Sequence, residues 1–209
     1  MKNWLRLLCA SWLLIMCGTM YAQNLHAQTL LVIGDSISAA YGIEIEQGWV
    51  AQLQQRLNER ELSYQVVNAS ISGDTSAGGR TRLPALLEQH QPDLVVIELG
   101  GNDGLRGLSL VSLKDNLSAM VELARQQGSR VIVLGMRIPP NYGPRYTEGF
   151  YQVYQQLAQE QNVPVLGFFL EGIGGVPGMV QNDGIHPTAA AQPLLLDNAW
   201  PLIEAQLQK

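Results

Sequence analysis

Two hydrophobic periods alternate along this chain, and that alternation narrows what it can fold into. Apolar runs of strand length stand at Thr29–Gly34, Tyr64–Asn68, Leu94–Leu99, Arg130–Gly135 and Val163–Phe169. The first, third and fourth are rich in Val, Ile and Leu without strict alternation, as in strands buried on both faces. Between the runs lie stripes of helical period. Trp49, Val50, Leu53 and Leu57 form one, Leu113, Leu117, Met120, Val121 and Ala124 a second, and Phe150, Val153, Tyr154 and Leu157 a third. Such stripes face a core. A last helix is expected from about Thr188 to Leu207, broken near Pro193 and Pro201. Strand and helix in alternation predict a mostly parallel sheet covered on both faces, a three-layer α/β/α domain. No repeat, low-complexity tract or linker divides it, and 209 residues suffice to bury a core without disulfide staples.

Residues 1–27 have a different character. Lys2 and Arg6 open the chain, Leu7 to Met16 is almost unbroken apolar sequence, and small or polar residues follow. This is the layout of a secretory signal peptide, cleaved after Ala27 or Ala22, and the apolar run is shorter than the roughly 20 residues of a membrane-spanning helix. The expectation is a periplasmic or secreted protein, residues 28–209, with no stable membrane insertion. Its removal takes Lys2 and Arg6 and no acidic residue, leaving 11 Lys and Arg against 18 Asp and Glu, a net charge of −7. Cys9 and Cys17 depart with it, so neither a disulfide nor thiol chemistry is expected. No basic run suggests a nucleic-acid partner, no ligand spacing suggests a metal, and no phosphate-cradling glycine motif suggests a nucleotide cofactor.

Ligands of open α/β sheets bind outside the carboxyl ends of the strands, so the residues after each run are the informative ones. Gly34-Asp35-Ser36 follows the first and would set Ser36 in a tight turn at a helix start, where backbone N–H groups favour an anion. Gly73 follows the second and permits close approach of a backbone N–H to a ligand. Gly100-Gly101-Asn102-Asp103 follows the third, and Asn102 offers an amide donor. Near the end, Asp183 and His186 are three residues apart, close enough for the carboxylate to hold one ring nitrogen and leave the other as a base. Each signal alone also fits an ordinary turn or helix cap. In combination they supply a nucleophile, a base, an orienting acid and two oxyanion donors, the parts of acyl transfer. Asp35 reads as structural, bonding the turn or nearby backbone.

These blocks resemble the GDSL lipases and esterases, also called SGNH hydrolases. Val67–Ser76, Leu99–Gly107 and Pro140-Asn141-Tyr142-Gly143 look most like the bacterial periplasmic acyl-CoA thioesterase, lysophospholipase and arylesterase group. The resemblance runs from about Thr29 to the C-terminal helix. It implies a five-stranded parallel, flavodoxin-like sheet of order 2-1-3-4-5. It implies Ser36 as nucleophile, His186 as base, Asp183 as its orienting acid, and an oxyanion hole from the Ser36 and Gly73 N–H groups with the Asn102 side chain. No cofactor is implied. The substrates implied are small-molecule acyl esters and thioesters: fatty acyl esters and acyl-CoA, with lysophospholipids as a further candidate. A carbohydrate acetylesterase on the same fold, or a non-catalytic periplasmic binding protein, are the alternatives. For the substrate pocket the expected residues are Leu105, Leu108 and Leu110, with Pro140, Asn141 and Tyr142 opposite, and Gly172–Met179 as a glycine-rich flap. Oligomeric state is left open.

Overall fold

A computed structural model describes residues 28–207; the predicted signal peptide lies outside the described residues. Five strands form one parallel sheet in the order β2-β1-β3-β4-β5. They are β1 (Gln28–Gly34), β2 (Tyr64–Asn68), β3 (Leu94–Glu98), β4 (Arg130–Leu134) and β5 (Val165–Leu166). The helices are α1 (Trp49–Glu59), α2 (Ser76–His90), α3 (Gly101–Leu105), α4 (Leu110–Gln126), α5 (Pro144–Gln161) and α6 (Gln192–Leu207). α1 packs against α6, and α2, α4 and α5 pack in a row, so helices cover both faces. The expected architecture and strand order are those observed.

The central strands need no polar face because both sides are covered. Leu30–Ile33 and Leu94–Ile97 are wholly buried. The three predicted stripes are the buried faces of α1, α4 and α5. Trp49 packs edge-on against Phe169 with ring centroids 5.2 Å apart, tying α1 to the chain after β5.

Three elements depart from expectation. β5 was expected over Val163–Phe169 and pairs only at Val165–Leu166. Pro164 has no N–H to donate, so this edge position starts late. α6 runs unbroken through Pro201, which faces solvent, where water can satisfy the carbonyl that the proline leaves unpaired. α2 carries no predicted stripe, because Gly78, Gly79 and Pro84 interrupt its pattern. It forms because Thr75 caps it, its hydroxyl accepting from Gly78 N–H at 3.3 Å. The carboxylate of Asp103 also accepts from Ser76 N–H at 2.8 Å and from the Ser76 hydroxyl at 2.6 Å, charge placed at a helix start.

Candidate active site

β1 lies between β2 and β3, so the residues that follow these three strands meet at one edge of the sheet. Ser36 stands directly after β1 and is 9% exposed. Its turn is fixed from below. Gly34 has no side chain, and a Cβ there would lie 2.8 Å from both Glu98 Oε2 and the Ser38 Cβ. The loop after β2 is sewn to the same turn, with Ile71 N–H donating to Gly34 O at 3.0 Å. Gly73 in this loop adopts φ +80°, a region that favours glycine. Its carbonyl accepts from Arg106 Nη2 at 2.8 Å. Neither Ser36 N–H nor Gly73 N–H has an acceptor among the described residues.

His186 arrives from the other side of the cleft. The segment that carries it is pinned by a bridge between Val180 and Pro187, and Gln181 N–H donates to His186 O at 2.7 Å. Asp183 folds the intervening turn around its own carboxylate. Oδ1 accepts from Ile185 N–H at 2.9 Å and from His186 N–H at 3.0 Å, and Oδ2 meets His186 Nδ1 at 2.6 Å. Facing a carboxylate, Nδ1 carries the proton, so Nε2 is free to accept from Ser36 Oγ, 2.8 Å away. The hydrogen bond from His186, with those from the two backbone N–H groups, holds the Asp183 carboxyl down at about 2. Tyr41, which the sequence reading did not single out, packs its ring on His186 with centroids 4.5 Å apart.

A second carboxylate works in the opposite environment. Asp35 is buried, with Oδ1 accepting from Ile37 N–H at 3.0 Å and Oδ2 from Asn102 Nδ2 at 3.0 Å. Burial raises its carboxyl to about 6, against the lowering pull of those hydrogen bonds. Behind it Glu98, wholly buried at the end of β3, accepts at Oε2 from the Ser38 hydroxyl at 2.7 Å and from Asp35 N–H at 3.3 Å. Trp49 Nε1 donates to Ser38 Oγ at 3.2 Å. Burial, and then the charge of Asp35, push Glu98 well above the usual carboxylate range.

An apolar cavity of about 420 Å³ opens beside these residues. Ile37 and Gly101 line it next to Ser36 and Asn102, and Gly184 and Ile185 line it next to the Asp183–His186 turn. Leu105 and Pro140, both expected pocket residues, are in its wall, with Met136, Ile138, Phe168 and Leu170. The expected flap contributes Gly174 and Gly175. Leu108, Leu110, Asn141 and Tyr142, also expected at the pocket, do not line this cavity. Leu108 is 43% exposed. Leu110 and Tyr142 line a separate shallow depression with Tyr146. One tyrosine braces the wall from outside, Tyr142 OH donating to Leu105 O at 2.9 Å, and a second holds the loop just beyond it, Tyr146 OH donating to Leu108 O at 2.8 Å. Sequence proximity to the Asn102 loop does not reveal which side of the loop a residue faces.

Comparison with known proteins identifies the family of the chain. The model of the GDSL-like lipase/acylhydrolase family matches residues 32–193. The chain is 59% identical over 185 residues to "Esterase TesA" of Pseudomonas aeruginosa, covering 88% of this chain and 92% of that protein. It is 45% identical over 171 residues to "Thioesterase 1/protease 1/lysophospholipase L1" of Escherichia coli K12, covering 82% and 81%. Among solved structures, a crystal structure of TesA superposes with a TM-score of 0.84 over 86% of this chain and 99% of that one, at 59% identity. The psychrotrophic esterase EstA from Pseudoalteromonas sp., inhibited by monoethylphosphonate, superposes with a TM-score of 0.83 over 87% and 100%, at 41% identity. On the extent of that family match and these identities, the chain belongs to the GDSL-like lipase/acylhydrolase family.

Proposed function

We propose that this protein hydrolyses carboxylic esters and acyl thioesters through an acyl-enzyme on Ser36. The carrying observation is the unbroken hydrogen-bonded series Ser36–His186–Asp183 at the mouth of an apolar cavity. As Ser36 Oγ attacks the acyl carbonyl, its proton passes to His186 Nε2, and Asp183 stabilises the imidazolium that forms. The carbonyl oxygen becomes an oxyanion, received by Ser36 N–H, Gly73 N–H and the Asn102 amide. Collapse expels the alcohol or thiol, which takes the proton from His186. Water then repeats the sequence on the acyl-enzyme, releasing the acid and restoring Ser36.

An apolar cavity of about 420 Å³ suits a fatty acyl chain better than an acetyl group. Fatty acyl esters, acyl-CoA and lysophospholipids are therefore favoured over acetylated carbohydrate. Relatives named esterase, arylesterase and thioesterase/lysophospholipase support the same range. We read residues 1–27 as the signal that directs the enzyme out of the cytoplasm.

The test is covalent labelling by a fluorophosphonate probe, beside turnover of nitrophenyl esters from acetyl to palmitoyl and of acyl-CoA. The expected result is a labelled Ser36, no labelling of Ser36→Ala, and turnover favouring chains longer than acetyl. Labelling of another serine would overturn the nucleophile. Absence of both labelling and turnover would point to a binding protein, and a preference for acetyl esters to the acetylesterase reading.

A further inference from the structure

The polar network behind the nucleophile is buried, holds two carboxyl groups, and takes no part in the proton transfer described above. We propose that Asp35 is a positioning residue that aims the Asn102 amide, and that Glu98 behind it works as an uncharged acid anchoring the turn. This rests on the reading of Asn102 as an oxyanion donor.

An asparagine amide is ambiguous on its own, because its oxygen and nitrogen ends have similar shape and opposite polarity. Turned the wrong way, Asn102 would present a carbonyl oxygen to the developing oxyanion and repel it. Asp35 Oδ2 removes the ambiguity. A carboxylate oxygen accepts, so only the Nδ2 end can face it, and it does so at 3.0 Å. One N–H of the amide is thereby engaged and the other remains for substrate. Asp35 cannot turn away, because its other oxygen accepts from Ile37 N–H at 3.0 Å. Gly101 leaves room for this contact, since a Cβ there would stand 3.2 Å from Asp35 Oδ2.

Glu98 fixes the turn itself, with Oε2 taking both the Ser38 hydroxyl and Asp35 N–H. Its Oε1 is buried with no partner. The ionisable groups around this pair are His186 and Asp74 towards Asp35, Tyr154 from α5 towards Glu98, and Arg82 from α2, which donates to Gly34 O at 3.3 Å and pairs with Asp74 at 2.7 Å. None is a cation packed on Glu98, and a second full charge beside Asp35 would be both desolvated and repelled. An uncharged Glu98 still offers a carbonyl oxygen to its two donors.

Steady-state kinetics on a nitrophenyl acyl ester tests the proposal in Asp35→Asn, Asn102→Ala, the double variant, Glu98→Gln and Glu98→Ala. Asn102→Ala should lower kcat by ~10²–10³-fold. Asn at position 35 must oppose an N–H to either Ile37 or Asn102, so Asp35→Asn should lower kcat by ~10–100-fold while KM moves less than about threefold. The double variant should be no worse than Asn102→Ala within about twofold, because both changes remove one interaction. Losses that multiply, or a normal kcat in Asp35→Asn, would overturn the positioning role. A normal kcat in Asn102→Ala would instead remove Asn102 from the site. If Asp35→Asn does not fold, Gly101→Ala crowds the same contact and should show the same non-additivity with Asn102→Ala, while multiplying losses would again overturn it. Glu98→Gln, which keeps an uncharged acceptor, should retain at least ~10-fold more kcat than Glu98→Ala. Equal losses in the two would overturn the uncharged acid.

Discussion

The front and the back of this site are built from the same chemical group in opposite surroundings. In front, Asp183 sits at the solvent edge of a turn that it folds by itself, and hydrogen bonds hold its carboxyl at about 2. At the back, Asp35 is sealed beneath the Ser36 turn and burial lifts its carboxyl to about 6. In the proposed mechanism the front carboxylate keeps a full charge available to a histidine that becomes charged. The back one gives up solvation to hold an amide and a turn in one orientation. The difference teaches that, on the proposed roles, charge and position come from separate residues, with Ser36 between them.

Three experiments would break or sharpen that contrast. The largest effect belongs to the front. Asp183→Asn leaves the turn's acceptor but cannot hold the tautomer with the proton on Nδ1. It should lower kcat by ~10³–10⁴-fold with little change in thermal midpoint, read by turnover and by calorimetry. A loss below about tenfold would mean that the front charge is dispensable. Next comes the back. Gly34→Ala puts a methyl 2.8 Å from Glu98 Oε2 and from the Ser38 Cβ, and should destabilise the fold by up to about 3 kcal/mol in urea unfolding. A neutral result would show that the network yields easily and does not hold position.

The smallest effect separates the two carboxylates by sign. Asp35 has a raised folded value, above the ~3.9 of an unfolded chain, so its contribution is complete below about pH 4 and is lost as pH rises through 6. Glu98, raised further, acts in the same direction at higher pH. Asp183 has a lowered folded value, so its contribution is present above about pH 4 and fades as pH falls through 2. Between pH 4 and 7, wild type should lose on the order of 2 kcal/mol of stability that Asp35→Asn does not lose, measured by urea midpoints across that range. Parallel curves for the two proteins would refute the buried charge.

Much of the fold was legible because it follows from period. β1, β3 and β4 are apolar on both faces, and three helices carry clean stripes. α2 was not, because its glycines answer to packing: a Cβ on Gly79 would overlap Leu99. Ser36, Gly73, Asn102, Asp183 and His186 could be singled out because each follows a strand or stands beside a chemical partner in sequence. Glu98 could not. In Leu94-Val95-Val96-Ile97-Glu98 it reads as the polar end of a strand, and only the sheet brings it against Asp35 and Ser38. The cavity wall was half legible for a related reason. Leu105 ends a five-residue helix and Leu108 stands three residues beyond it in the loop, and one faces in while the other faces water.

The two tyrosine hydroxyls that reach this loop separate the shape of the cavity wall from its stiffness. Leu105 sets where the wall stands, while Tyr142 holds its backbone carbonyl from outside and Tyr146 holds that of Leu108 in the adjoining loop. A lineage of such enzymes can therefore change how tolerant the wall is of different guests by exchanging a tyrosine for a phenylalanine on the outer surface, with the lining sequence untouched. The position of the wall and its stiffness are thus set by different residues, one lining the cavity and one outside it.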